Sequence, residues 1–165
     1  MGIKSKPEPD QFKGKVAVVT GAGSGIGRSM AILLGSLGAH VCAADLNAAS
    51  AIDTATSISE AGGEATGHTL DVTDAEAVEA FAAAVFTEHG RVDILHNNAG
   101  IGHAGPIEDT PLEDWRKILE VNVIGALDWT RDAVGAGLRD QRGSIVNIAS
   151  IAGIGTSPGI AFYGI

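Results

Sequence analysis

The chain has one cysteine (Cys42), one tyrosine (Tyr163), and aromatic residues at only 4% of its 165 positions. A single thiol cannot close an intrachain disulfide, and the sequence offers no paired Cys or Cys/His spacing of the kind that holds zinc. His40, His68, His89 and His96 likewise make no metal spacing with carboxylates, so no metal ligands are expected. Cys42 lies inside an apolar run and reads as a buried structural residue rather than a nucleophile. Basic residues are scarce, 11 Lys and Arg against 20 Asp and Glu, for a net charge of −9. That balance argues against nucleic acid or an anionic membrane surface as a partner. No apolar stretch reaches the ~20 residues that cross a bilayer. The first residues have no apolar signal region, and Lys6 stands where a myristoylation pattern needs Ser or Thr. A cytoplasmic location is expected, with residues 1–12 as a flexible polar tail.

What is abundant is glycine, 23 residues, and alanine, in a chain that is 45% apolar. This suits closely packed helices on a sheet and a globular domain over residues 13–165. Strands are expected at 15–20, 40–44, 64–70, 92–96 and 144–148. All but the third are near-continuous apolar runs, the pattern of strands covered on both faces. Helical patterns alternate with them. Ile26, Met30, Leu33, Leu34 and Leu37 form one stripe, stopped at Gly38. A second helix spans 47–61. A third starts at Asp74, carries Val78, Phe81, Ala82, Val85 and Phe86, and ends at Gly90. A fourth runs from 110 to about 139, with Thr110 as cap, Pro111 in the first turn and Glu113 completing a capping box. Alternating strands and helices with right-handed crossovers predict an α/β fold with a doubly wound parallel sheet. Ligands of such sheets sit at the carboxyl ends of the strands, so the residues there decide the function.

After the first strand come Thr20-Gly21-Ala22-Gly23-Ser24-Gly25-Ile26-Gly27. Glycines here let the backbone turn sharply and approach a pyrophosphate, and the helix that follows aims free N–H groups at the anion. No Gly-Lys-Ser/Thr follows, so a triphosphate P-loop is excluded. After the second strand comes Asp45, 18 residues past Gly27, then Leu46. A carboxylate there can accept from both ribose hydroxyls and repels a 2′-phosphate, which favours NAD over NADP. After the third strand come Asp71 and Val72; Asp71 can accept from an adenine amino group or cap the next helix. After the fourth come Asn97, Asn98, Ala99 and Gly100, a turn suited to tying the sheet together beside a cofactor, though a plain turn uses the same residues. His103 follows and reads as a loop histidine. Trp115 and Trp129 read as core or subunit interface.

These motifs together resemble the short-chain dehydrogenase/reductase family. Its Thr-Gly-x-x-x-Gly-x-Gly motif matches Thr20 to Gly27, and its Asn-Asn-Ala-Gly motif matches Asn97 to Gly100. Its helix asparagine matches Asn122, its serine Ser150 and its tyrosine Tyr163, the likeness covering about residues 13–165. The resemblance implies a Rossmann fold and a cofactor site of Gly21, Ser24, Gly25, Ile26, Gly27, Asp45, Leu46, Asp71, Val72, Asn98, Ala99 and Gly100. It implies hydride transfer between a nicotinamide and a small alcohol or carbonyl, with Tyr163 moving the proton and Ser150 bonding the substrate oxygen. Asn122 is to hold a water relaying to a lysine; its place on the stripe of Trp115, Ile118 and Leu119 predicts that it faces inward. Homo-oligomerisation is a further implication.

The family places that lysine four residues after the tyrosine, at a position numbered 167, beyond Ile165. An unperturbed tyrosine titrates near pH 10 and needs a nearby cation to act as a base near pH 7. The expectation is therefore that the 165 residues are part of a longer enzyme of ~250 residues, C-terminally incomplete and weakly active or inactive by themselves. The fifth strand, apolar like a central one, supports this expectation. The alternatives are a non-catalytic dinucleotide-binding module and a structural fragment that binds nothing.

Overall fold

A computed structural model of the protein describes residues 10–102, 105–140 and 142–155. Five strands, β1 (Val16–Thr20), β2 (His40–Asp45), β3 (Glu64–Thr69), β4 (Ile94–Asn97) and β5 (Ser144–Asn147), form one parallel sheet in the order β3-β2-β1-β4-β5. The order reverses direction between β1 and β4, which opens a crevice at their carboxyl ends. The helices between strands are α1 (Gly25–Ser36), α2 (Ala48–Glu60) and α3 (Ala75–His89). A longer helical run joins β4 to β5. It consists of α4 (Leu112–Leu119), a π-helical turn (Glu120–Ile124), α5 (Gly125–Ala133) and a second π-helical turn (Val134–Leu138).

The sheet is covered on both sides because β1 and β2 are apolar over most of their length. Val16, Val18, Cys42, Ala44 and Leu95 pack with Val78, Ala82 and Val85 of α3 and Trp129 and Ala133 of α5. Ala17, Val19, Val41 and Ala43 pack on the other face with Ala31 and Leu34 of α1 and Ile58 of α2. Trp129 is fully buried and meets Phe81 edge-on at 5.3 Å, a core role for this tryptophan. Phe12, at the edge of the expected tail, donates its N–H to the Leu37 carbonyl at 2.8 Å and packs on the second cluster. β3 and β5 flank the sheet. β3 is partly covered along its length, whereas Val146 of β5 is 43% exposed.

Helix ends follow the local chemistry. Asn47 and Asp74 cap α2 and α3 through side-chain oxygens that accept from Ser50 N at 3.1 Å and Ala77 N at 3.0 Å. Gly90 ends α3 in the left-handed region at φ 69°. The start of α4 departs from expectation. Pro111, not Thr110, is the N-cap, and it has no side chain to bond an amide. The Thr110 hydroxyl donates to the Pro106 carbonyl at 2.9 Å, because the turn at Ile107–Asp109 brings that acceptor within reach.

Candidate functional site

The carboxyl ends of β1, β2, β4 and β5 and the residues after β3 border a cleft of about 910 Å³. Its walls include Gly21, Ser24, Gly25, Ile26, Asp45, Leu46, Asp71, Val72, Asn98, Ala99 and Gly100. Eleven of the twelve expected cofactor residues thus converge. Gly27 is not on the wall but behind it. A Cβ there would collide with the Gly21 carbonyl and the Asn98 amide, so its place is in closing α1 onto the strand ends. Gly25 opens α1 at φ +52°, a conformation that side chains disfavour. Ser24 is the N-cap, its hydroxyl making no cap bond. The first-turn N–H groups of α1 have no intrahelical partners by position, and they carry the positive end of the helix dipole.

Asp45 ends β2 with its carboxylate fixed in place. Oδ2 accepts from Gly23 N at 2.8 Å and Oδ1 from Asn47 N at 2.9 Å. Each oxygen keeps a lone pair for a further donor. Asp71 spends Oδ1 on Thr73, accepting from its N–H at 2.9 Å and its hydroxyl at 2.7 Å. Those bonds, then the Lys117 ammonium, hold the Asp71 carboxyl below its ordinary range despite partial desolvation. Asp71 is not the helix cap; Asp74 fills that role, and Asp71 stands on the cleft wall.

The Asn97-Asn98-Ala99-Gly100 turn knits the crevice together. Asn98 Nδ2 donates to the Thr20 carbonyl at 3.0 Å, and the N–H groups of Asn98 and Ala99 both donate to Thr20 Oγ1 at 3.0 Å. Asn97 Nδ2 reaches the Ala126 carbonyl, Thr130 Oγ1 and Asn147 Oδ1, joining β4 to α5 and β5.

Asn122 sits at the centre of the first π-helical turn, half-buried. Its side chain makes two bonds to one residue: Oδ1 accepts from Ile101 N at 2.8 Å and Nδ2 donates to Ile101 O at 2.9 Å. The expected inward stripe does not hold, since Ile118 is buried but Leu119 is 43% exposed. The π turn changes the helical period, and Asn122 turns toward the loop after β4 instead of the core. Ser150 follows β5 and caps a short turn, Oγ accepting from Ala152 N at 3.1 Å. Ile148, rather than Ser150, lines the cleft from β5. Tyr163 and His103 lie outside the described residues.

Sequence reading missed Lys117, Glu120 and Val121, which form the wall contributed by the helical run after β4. Lys117 is the one cation on the cleft wall among the described residues. Nothing in its spacing marks it, since a lysine on an amphipathic helix ordinarily faces water.

A doubly wound parallel sheet with a glycine-lined helix N-terminus and a fixed acid at the next strand end defines the class of dinucleotide-binding α/β proteins. Comparison with known proteins narrows this. The profile of the short chain dehydrogenase family matches residues 15–164, and the chain belongs to that family of oxidoreductases. A probable oxidoreductase of Mycobacterium tuberculosis, EphD, is 45% identical over 154 residues, which are 92% of this chain and 26% of that one. The crystal structure of an NAD+-bound xylitol dehydrogenase superposes with a TM-score of 0.86 at 36% identity, over 93% of this chain and 60% of that one. A metagenomic short-chain oxidoreductase in complex with NADP superposes with a TM-score of 0.88 at 38% identity, over 93% and 70%. The chain thus spans about a quarter of EphD and a little over half of another curated relative, a D-threitol dehydrogenase of Mycolicibacterium smegmatis that is 42% identical over 142 residues. Among the described residues no helix is long and apolar enough to cross a membrane.

Proposed function

We propose that this chain is the cofactor-binding part of an NAD-dependent oxidoreductase that moves a hydride between nicotinamide and a small alcohol or carbonyl. The observation that carries the cofactor choice is Asp45. Its carboxylate lies on the cleft wall, immobilised by two backbone N–H groups, where a ribose would bring its hydroxyls. Lys117, the one cation on the wall among the described residues, stands beside Asp71, not Asp45. A 2′-phosphate at Asp45 would meet an uncompensated negative charge.

The residues fit a dinucleotide. The α1 N-terminus and the glycine turn suit the pyrophosphate, Asp45 and Leu46 the adenosine ribose, Asp71 and Val72 the adenine, and Asn98, Ala99 and Gly100 the nicotinamide half. Bound there, the nicotinamide supplies or takes up the hydride. Ser150 keeps its hydroxyl proton while Oγ accepts from Ala152, so it can donate to a substrate oxygen. Tyr163 is the proposed proton donor or acceptor. Asn122 fixes the loop after β4 by gripping Ile101 and retains one N–H for a relay water.

Calorimetric titration with NAD and NADP tests the reading. NAD is expected to bind at least tenfold tighter, and Asp45→Ala to reduce that preference by about tenfold or more. NADP binding as tightly as NAD, or a preference untouched by Asp45→Ala, overturns it. Binding without turnover of any alcohol or carbonyl supports the non-catalytic dinucleotide-binding module instead.

A further inference from the structure

The amino ends of the strands carry a second cluster, far from the cleft. His40 opens β2, Cys42 is two residues on with its side chain on the same face, and His89 ends α3, which packs over that face. Asp45 lies at the other end of β2 from His40, roughly 16 Å away at about 3.3 Å per residue. The cleft and the cluster therefore occupy opposite edges of the sheet.

One ligand atom from each of His40, Cys42 and His89 lies within 4.8 Å of the other two. Cys42 Sγ and His89 Nε2 are 3.8 Å apart. Two ligands at about 2.3 Å (sulfur) and about 2.0 Å (nitrogen) from a common tetrahedral metal stand roughly 3.5 Å from each other. The pair is within a few tenths of an ångström of that spacing and is long for a strong S–H···N bond. His40 Nε2 is buried with no hydrogen-bond partner among the described residues. Its other nitrogen, Nδ1, faces the Glu64 carboxylate at 3.6 Å. A histidine with one nitrogen toward a carboxylate and the other free is the usual arrangement of a metal ligand and its outer support. The Glu88 carboxylate lies 3.9 Å from His89 Nε2 and adds negative charge beside the grouping, leaving the fourth position to water. The carboxyl end of α3, just before Gly90, adds the negative end of a helix dipole.

We propose that His40, Cys42 and His89 form a binding site for a borderline divalent cation of the zinc class at the edge of the sheet opposite the cleft. A thiolate with two imidazoles suits zinc, or cobalt as its spectroscopic substitute, over magnesium or calcium. Burial pushes the Cys42 thiol up to about 11, so the cation must displace that proton. The site needs no cofactor in the cleft and stands independently of the dinucleotide reading.

The full chain, stripped with chelator, is titrated with Co²⁺ and then Zn²⁺ while absorption is followed. One Co²⁺ per chain is expected, with a thiolate-to-cobalt charge-transfer band and visible bands of a four-coordinate centre that Zn²⁺ erases. Cys42→Ser is expected to abolish the charge-transfer band. His89→Ala and His40→Gln each weaken binding more than tenfold, and Glu64→Gln about tenfold. Circular dichroism checks that each variant is folded. Should Cys42→Ser not fold, His89→Ala, altered at a helix end, still decides. Absence of the thiolate band in the unaltered chain, or equal affinity in folded His89→Ala and His40→Gln, overturns the proposal.

Discussion

Asp93 shows how one carboxylate can order the amino end of the sheet. It is nearly buried just before β4. Arg91 grips it through Nε at 2.7 Å and a second guanidinium nitrogen at 2.5 Å, Lys15 Nζ donates at 2.9 Å, and Val16 N donates at 3.0 Å. Burial by itself would raise its pKa. The Arg91 guanidinium, the Val16 N–H and the Lys15 ammonium outweigh that and hold it below the ordinary range. The folded-state pKa is thus depressed, so the stabilisation is fully present above the unfolded value near 4 and is lost as pH falls through the lower, folded value. Asp93→Asn is expected to cost about 1–3 kcal/mol at pH 7, with the gap to the unaltered chain narrowing below about pH 4; urea unfolding at pH 7 and pH 3 measures both. At this scale the sequence was informative only where chemistry and position coincide. Asp45 and the glycine turn were legible because they follow strands. Asp93, Lys117 and the His40–Cys42–His89 grouping were not, because each role needs at least one residue tens of positions away to meet the others in space.

Elements were easier to foresee than their joints. Every expected strand is present to within two residues at each end, because fully apolar runs leave the chain few alternatives. Even the polar third strand forms, held by pairing with β2 along its whole length. The helical run after β4 was legible as a helix but not as one carrying two π turns. The first of these turns carries Asn122 to its bonds with Ile101, which no helical periodicity encodes. Two glycines at helix ends separate backbone cost from packing cost. Gly90 is left-handed with open space where a Cβ would point, so Gly90→Ala is expected to cost about 1–2 kcal/mol and leave NAD binding intact. Gly27 has ordinary room in φ but none for a Cβ. Gly27→Ala is expected to push α1 off the strand ends and weaken NAD binding at least tenfold, even where the fold survives. Chemical denaturation beside NAD titration of both variants reads the two effects separately.

For the whole molecule, ligand and fold should stabilise one another. The cleft draws its walls from both halves of the sheet, with Gly21 and Asp45 on one side of the crevice and Asn98 and Val121 on the other. A dinucleotide bridging them stabilises only the assembled sheet. Saturation at about a hundred times Kd is expected to add roughly 2.7 kcal/mol and to raise the melting temperature by several degrees. An unchanged melting temperature with NAD would show that the chain forms no such site.

The order of the strands also sets a timetable. β1 takes β2 on one side and β4 on the other, and on the order of 70 residues of chain lie between Thr20 and Ile94. At about 5–20 residues per second, a ribosome needs several seconds to deliver β4 after β1. During that interval one edge of Val16–Thr20, the most apolar strand of the sheet, has no neighbour to pair with. The nascent chain therefore depends on rapid docking of β2, α1 and α2, or on chaperones, until the asparagine turn arrives to close the centre of the sheet.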